Sequence, residues 1–137
     1  MEFLYKIRYA ETDQMGIVHH ANYLLYLEQA RIEWLEKKGI NYSQLEKDGV
    51  MLPVYNIEIS YHKPLVFGDS VKVQVTCSKP PAVKIGFDYK LFNMADELIA
   101  TAKVILVFMS SQTRKPIRCP EELYAVLVSW EVLDKFW

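Results

Sequence analysis

The sequence has little cysteine and no long apolar run. Two cysteines, Cys77 and Cys119, lie far apart in 137 residues and match no paired metal or redox spacing. We therefore expect neither a disulfide nor a cysteine-based metal site. No apolar stretch approaches the roughly 20 residues of a membrane-spanning helix, and the first residues lack the layout of a signal peptide. These absences predict a soluble cytoplasmic protein without membrane insertion.

The sequence also lacks an excess of either charge and has few histidines. Lys and Arg number 16 against 17 Asp and Glu, and no basic run exceeds a pair, which argues against a nucleic-acid groove and favours a small-molecule ligand. His19 and His20 are adjacent, so they cannot share one helix face as metal ligands three or four residues apart do. With no third ligand evident, we expect no metal site.

The sequence does have enough apolar material for one core. Apolar residues make up 51% of the chain, which indicates a single domain over residues 1–137, without repeats or linkers. Phe3, Tyr5, Ile7 and Tyr9 alternate with mostly polar residues, as in a strand with one buried face. From about Ala21 the period becomes helical: the predicted buried arc is Tyr23, Leu24, Leu27, Ala30, Trp34 and Leu35.

The second half of the chain is strand-like. After a short helix capped by Asn41 or Ser43, segments rich in β-branched and aromatic residues follow at residues 51–60, 71–77, 83–92 and 98–109. Short turns between them predict an antiparallel meander with one helix covering a face, an α+β layout of about five strands. Helical spacing near the C-terminus predicts a terminal helix or edge element with an apolar side at Leu123, Val126, Leu127 and Trp130.

An acidic turn directly before the long helix carries the most chemical information. Asp13 is expected at a strand end, and Gly16 allows the backbone a positive φ or a close approach to a ligand. The first amides of a helix have no intrahelical partner and attract an anion or a polarised carbonyl oxygen. We expect Asp13 and those amides to converge on one small volume. The alternative is that Asp13 only caps or shapes the turn.

Residues 12–24, which read TDQMGIVHHANYL, resemble the signature segment of the hotdog-fold acyl-CoA thioesterases of the 4-hydroxybenzoyl-CoA thioesterase-like family. Glu28, Ala30 and Arg31 continue that match, and weaker ones follow at residues 61–64, 67–69 and 107–116. Within the family, the pattern most resembles the short acyl-CoA thioesterases associated with the Tol-Pal envelope system. The resemblance implies a five-stranded antiparallel sheet wrapped around a long central helix.

The resemblance also implies roles for individual residues. Asp13 matches the aspartate that acts as nucleophile or general base, and the backbone amide of His20 matches the oxyanion hole, while the His20 side chain could orient Asp13, contact substrate or pack. Because some hotdog thioesterases use a helix glutamate, Glu28 is kept as a second candidate. Substrate-binding positions are expected at Gly16, Val18, His19, Ala21, Tyr23, Met51, Leu52, Pro53 and Lys84.

The implied assembly is a homodimer, within a homotetramer, because hotdog sites generally lie at a dimer interface. Met51, Leu52 and Pro53 would then line the acyl pocket from the partner subunit. The CoA phosphates would be bound by basic residues near strand ends, which could equally be a solvated surface: Lys79, Lys84, Arg114 and Lys115. No cofactor is expected, since CoA is part of the substrate. Two other functions stay open: a non-catalytic acyl-CoA or acyl-carrier-binding protein, and a hotdog dehydratase. Acyl length and aromatic or aliphatic preference are not determined by these residues.

Overall fold

The computed structural model describes residues 1–77 and 79–134, with side chains as far as residue 128. Its strands are β1 (Glu2–Lys6), β2 (Val50–Met51), β3 (Val54–Tyr61), β4 (Ser70–Thr76), β5 (Lys84–Phe92), β6 (Leu98–Val107) and β7 (Met109–Ser110). Its helices are α1 (Tyr23–Lys37), α2 (Tyr42–Lys47) and α3 (Glu121–Asp134). None of the helices in these ranges is long and apolar enough to cross a membrane.

Five strands form one antiparallel sheet in the order β1-β4-β5-β6-β3. The predicted meander of four strands is therefore only partly right: β4, β5 and β6 follow one another as hairpins, but β3 pairs with β6 at the far edge. Residues 62–69 cross from β3, at one edge, to β4, next to the edge strand β1, instead of forming a hairpin. Leu65 anchors this crossing, because its side chain is fully buried and its carbonyl accepts a hydrogen bond from Val18.

The second predicted strand is broken at Leu52 and Pro53. Residues before the break pair with β7, whereas residues after it pair with β6. Proline has no N–H to donate to a ladder, and here the Pro53 carbonyl accepts from the Val107 amide as the chain changes partner. A two-residue element of this kind is not visible in the hydrophobic pattern.

α1 covers the inner face of the sheet and forms most of the core with it. Its buried residues are Tyr23, Tyr26, Leu27, Ala30, Arg31, Trp34 and Leu35. The edge of the Phe87 ring meets the Trp34 ring, with centroids 5.2 Å apart. The predicted arc is correct except at Leu24, which lies in the first turn and is 40% exposed, while Tyr26 and Arg31 are buried in addition.

The two shorter helices agree with the sequence pattern in most respects. Asn41 caps α2, because its side chain accepts a hydrogen bond from the amide of Gln44. In α3 the side chains of Leu123 and Leu127 are buried and Val126 is half-buried. The side chain of Trp130, which was predicted to share this apolar face, lies outside the described residues.

Candidate active site

A short hairpin connects the first strand to the central helix and carries the signature residues. Its two arms, Glu11 to Asp13 and Ile17 to His19, run antiparallel: Thr12 bridges Val18, the Asp13 amide donates to Ile17, and the His19 amide donates to Glu11. The prediction that Asp13 ends a strand is wrong. β1 ends at Lys6, and a 3-10 turn over Tyr9–Glu11, with Tyr9 exposed, separates the strand from this hairpin.

The Asp13 carboxylate lies at the exposed tip of the hairpin. Oδ1 accepts hydrogen bonds from the amides of Met15, at 2.8 Å, and Ile17, at 3.4 Å, which is the pattern of an Asx turn. Within the described residues, Oδ2 has no hydrogen-bond partner. Oδ1 thus shapes the turn, which was the alternative role considered for Asp13. Oδ2 is available to a ligand.

The helix start is more elaborate than predicted, because a 3-10 turn over His20–Asn22 precedes α1. The Ala21 amide is already occupied, since it donates to Nδ1 of His19 at 3.2 Å. The His20 amide finds no acceptor in the part of the chain that the structure describes. Of the two amides considered from sequence, His20 is therefore the one that can bind an oxyanion. Its ring stacks on that of His19 at 4.3 Å.

Gly16 closes the hairpin turn in a conformation that favours glycine. Its φ is +78°, its amide donates to the Asp13 carbonyl, and an added Cβ would meet nothing within 4 Å. We expect Gly16→Ala to lower the free energy of unfolding by about 1 kcal/mol through backbone strain alone. Urea denaturation measures this. Gly86→Ala is the matched control, because Gly86 also has open space but an ordinary strand φ, and there alanine should be neutral or stabilising by about 0.5 kcal/mol.

A buried carboxylate, Glu11, was missed as a site residue. Its side chain contacts both the turn and α1. Oε1 accepts hydrogen bonds from the Arg8 amide and the Tyr26 hydroxyl, both at 2.8 Å. Oε2 accepts a hydrogen bond from Nε of Arg8 at 3.1 Å. Burial alone would raise the pKa of Glu11, but the hydrogen bonds from Arg8 and Tyr26 outweigh it and lower that pKa below its usual value. The three-residue spacing of Arg8 and Glu11 was the available signal.

The other predicted binding residues fall into two groups. Val18 and Tyr23 are buried beside the hairpin, and the Tyr23 ring contacts Tyr61 edge-on at 5.0 Å. Lys84 lies elsewhere, with Nζ 4.0 Å from the centroid of the Tyr55 ring. Tyr55 and Tyr61 mark opposite ends of β3, about 20 Å apart at 3.3 Å per residue.

The residues that precede β3 lie near Lys84. Met51 pairs with Met109, and Pro53 accepts from Val107, which in turn lies opposite Lys84. Leu52, between them, is buried. A single chain thus brings together the Asp13 hairpin and the helix start, but not the second group.

Comparison with known proteins decides the family. The model of the thioesterase-like superfamily matches residues 7–127, which include the hairpin, α1 and the whole meander. The chain belongs to this superfamily. It is 41% identical over 113 residues, 82% of each protein, to a putative acyl-CoA thioesterase, YneP, of Bacillus subtilis. It is 32% identical over 115 residues, 83% of each, to a 1,4-dihydroxy-2-naphthoyl-CoA hydrolase of Microcystis aeruginosa.

Solved thioesterases have the same fold. The DHNA-CoA thioesterase of Staphylococcus aureus superposes with a TM-score of 0.91 at 30% identity, over 98% of this chain and 93% of that one. The expected hotdog fold is therefore confirmed, with its five-stranded antiparallel sheet and central helix. The enzyme class expected from the signature segment, a thioester hydrolase, is confirmed as well.

The second carboxylate candidate of this thioesterase, Glu28, lies on the exposed side of α1. It lines an open groove of about 550 Å³ together with Tyr5, Lys6, Arg8, Glu11, Leu25, Tyr26 and Gln29. This groove contains charged groups but not the His20 amide. In the described ranges, His, Cys, Asp and Glu form no group of three or more that could hold a metal ion.

Proposed function

We propose that this thioesterase hydrolyses an acyl-CoA to the free acid and CoA, with Asp13 as the reactive carboxylate and the His20 amide as the oxyanion donor. The observation that carries the proposal is the hairpin, which holds a carboxylate oxygen and a helix-start amide, neither with a partner in the described residues, on one short segment. The similarity to proteins named acyl-CoA thioesterase and 1,4-dihydroxy-2-naphthoyl-CoA hydrolase supports the choice of CoA ester.

Two routes use these groups. If Asp13 is the nucleophile, its oxygen bonds to the carbonyl carbon, the C–S bond breaks, the CoA thiolate leaves and is protonated by water, and a second water cleaves the anhydride. If Asp13 is a general base, it takes a proton from the water that attacks the carbonyl, and then returns it to the departing sulfur. In both routes the carbonyl oxygen becomes negative, and the His20 amide stabilises it.

The edge strand β3 supports a homodimer. Among the described residues, no strand pairs with its outer side. Its side chains include Val54, Tyr55, Ile57 and Tyr61, each between 37% and 62% exposed. A long apolar edge of this kind pairs readily with another strand. A second copy, related by a two-fold axis, would extend the sheet antiparallel and cover the apolar row. Further pairing of dimers would give the proposed tetramer.

Such a dimer would also assemble the two separated groups of binding residues. Antiparallel pairing about an axis near Ile57 would place the Tyr55 end of one β3 beside the Tyr61 end of the other. Lys84 and residues 51–53 of the partner subunit would then lie beside the Asp13 hairpin. In this arrangement Lys84 is free to meet the CoA phosphates, and residues 51–53 can contact the acyl group.

We expect Ile57→Glu to prevent dimer formation, because a carboxylate would be buried at the centre of the β3 pair without a partner. Sedimentation velocity should show a species near 16.0 kDa in place of the native assembly. Leu4→Glu is the matched control, since Leu4 is 58% exposed on the other edge strand, β1, and should leave the assembly unchanged. An unchanged mass for Ile57→Glu would refute the β3 dimer.

Thiol release from a panel of short, long and aromatic acyl-CoAs tests the proposed activity. Hydrolysis of at least one member is expected, and the preferred member reports the acyl class. Acyl carrier protein thioesters, offered alongside, show whether CoA is required. Measurable binding of acyl-CoA without hydrolysis of any member would contradict the proposal and favour a non-catalytic acyl-CoA-binding protein.

A further inference from the structure

The side chain of Asn22 ties the start of α1 to the hairpin by a hydrogen bond. Asn22 is the residue immediately before α1, where asparagine usually caps its own helix by accepting from an amide one turn ahead. Here its side chain makes no such bond. Instead Nδ2 of Asn22 donates to the backbone carbonyl of Glu11, at 2.8 Å across the hairpin. Asn22 therefore does not cap its own helix, and instead bonds a residue eleven positions earlier in the chain.

The Glu11 carbonyl binds one residue just before His20 and one residue two positions after it. It accepts the His19 amide at 3.0 Å in addition to the Asn22 side chain. The peptide that carries the His20 amide is therefore fixed from both sides by one acceptor. On its far side, the His20 carbonyl accepts the Tyr61 hydroxyl at 3.2 Å. These contacts determine the direction in which the unpartnered His20 N–H points.

The acceptor is itself held rigidly. Glu11 is 7% exposed, and its side chain binds the Tyr26 hydroxyl of α1 and the Arg8 amide. Glu11 thus contacts the helix through its carboxylate and the segment before the helix through its carbonyl. A rigid acceptor matters because a displacement of about 1 Å in a positioned group can lower a rate by a hundredfold.

We infer that Asn22 is a positioning residue, which orients the His20 amide by tying the 3-10 turn to the Glu11 carbonyl. The inference rests on the proposed function, since it assigns Asn22 to the oxyanion donor proposed there. Asn22 is half-buried, and among the described residues its side chain donates only to the Glu11 carbonyl, so its removal should disturb the amide more than the core. Among the described residues, the Asp13 carboxylate accepts from Met15 and Ile17 and not from Asn22.

Steady-state kinetics of Asn22→Ala and the near-isosteric Asn22→Leu test the inference. Both variants should lower kcat by about tenfold to a hundredfold and change KM by less than threefold, because the ground-state contacts to CoA are kept. Gln29→Ala is the control: Gln29 lies on the same helix and, among the described residues, its side chain hydrogen-bonds only Glu33, so kcat should stay native. Native kcat in both folded Asn22 variants would overturn the inference.

A spectroscopic measurement separates positioning from a general structural effect. In Asp13→Asn protein, a bound acyl-CoA should stay intact, and its thioester carbonyl stretch should fall in frequency because the His20 amide polarises the bond. Adding Asn22→Leu should return that frequency toward the value in water, while acyl-CoA still binds. An unchanged frequency in the double variant would refute the inference even if kcat falls. Absence of hydrolysis by the native protein would instead overturn the proposed function, and the inference with it.

Discussion

Asp13→Asn is expected to lower kcat by at least about a thousandfold without unfolding the protein. Neither proposed route survives the change, because an amide is a poor nucleophile and a poor base at neutral pH. The fold should be kept, because asparagine retains the Oδ1 atom that accepts from the amides of Met15 and Ile17. Thiol release with the preferred acyl-CoA and the melting temperature, measured on the same sample, test both statements.

This substitution distinguishes the two interpretations of Asp13. Asparagine forms Asx turns as readily as aspartate does, so a residue that only shapes the turn would tolerate the change with full activity. Glu28→Gln is the matched control, because it neutralises the other carboxylate candidate on the exposed side of α1. A native rate in Asp13→Asn combined with a loss in Glu28→Gln would transfer the catalytic assignment to the helix glutamate.

An isotope experiment separates the two routes in the native protein. In a single turnover in H₂¹⁸O, with enzyme in excess, the nucleophilic route passes through an anhydride, and water attack at its Asp13 carbonyl would place label in Asp13. The general-base route places the label only in the released acid. Mass spectrometry of the peptide containing Asp13 reads the difference. Attack at the acyl carbonyl alone would also leave Asp13 unlabelled, so label in Asp13 is the informative result.

The elements of the fold that could be predicted from the sequence are those with local causes. Segments rich in β-branched and aromatic residues mark β4, β5 and β6, the apolar arc marks α1, and Asn41 marks the start of α2. The position of β3 could not be predicted, because its eight residues pair with a strand about 45 positions later. Which strand pairs with β3 depends on how the whole core packs. An edge strand without a buried face has no local hydrophobic pattern that identifies its neighbour.

In the candidate site, too, the residues with local causes could be predicted and those with long-range contacts could not. The signature segment was sufficient to select Asp13, Gly16 and the His20 amide, because they lie within a few residues of one another. Glu11 was not selected, since its burial depends on Tyr26, fifteen residues further along. Lys84 was selected by charge alone, and within one chain it lies against Tyr55, away from the hairpin. Residues that act through long-range contacts therefore need the structure.

Glu11→Gln is expected to lower the free energy of unfolding at pH 7 by about 2–3 kcal/mol. The change removes charge-assisted hydrogen bonds from the Arg8 amide and the Tyr26 hydroxyl to a side chain that is 9% exposed. The ion pair with Arg8 adds little, because the Arg8 side chain is 72% exposed. Urea unfolding measures the difference. A change below about 0.5 kcal/mol would mean that the buried carboxylate does not stabilise this junction.

The pH dependence identifies the charged form of Glu11 as the stabilising one. Because the pKa of Glu11 is lower in the folded protein than its ordinary value of 4.5, the carboxylate stabilises the fold above pH 4.5, and this contribution is lost as the pH falls through the folded pKa. The difference in the free energy of unfolding between the native protein and Glu11→Gln should therefore become smaller below pH 4.5. Glu97→Gln is the control: Glu97 bonds Lys63 at the surface, so 1 M salt should abolish its smaller effect. Salt should leave the Glu11 effect largely intact, because the hydrogen bond from the Tyr26 hydroxyl to Glu11 is buried.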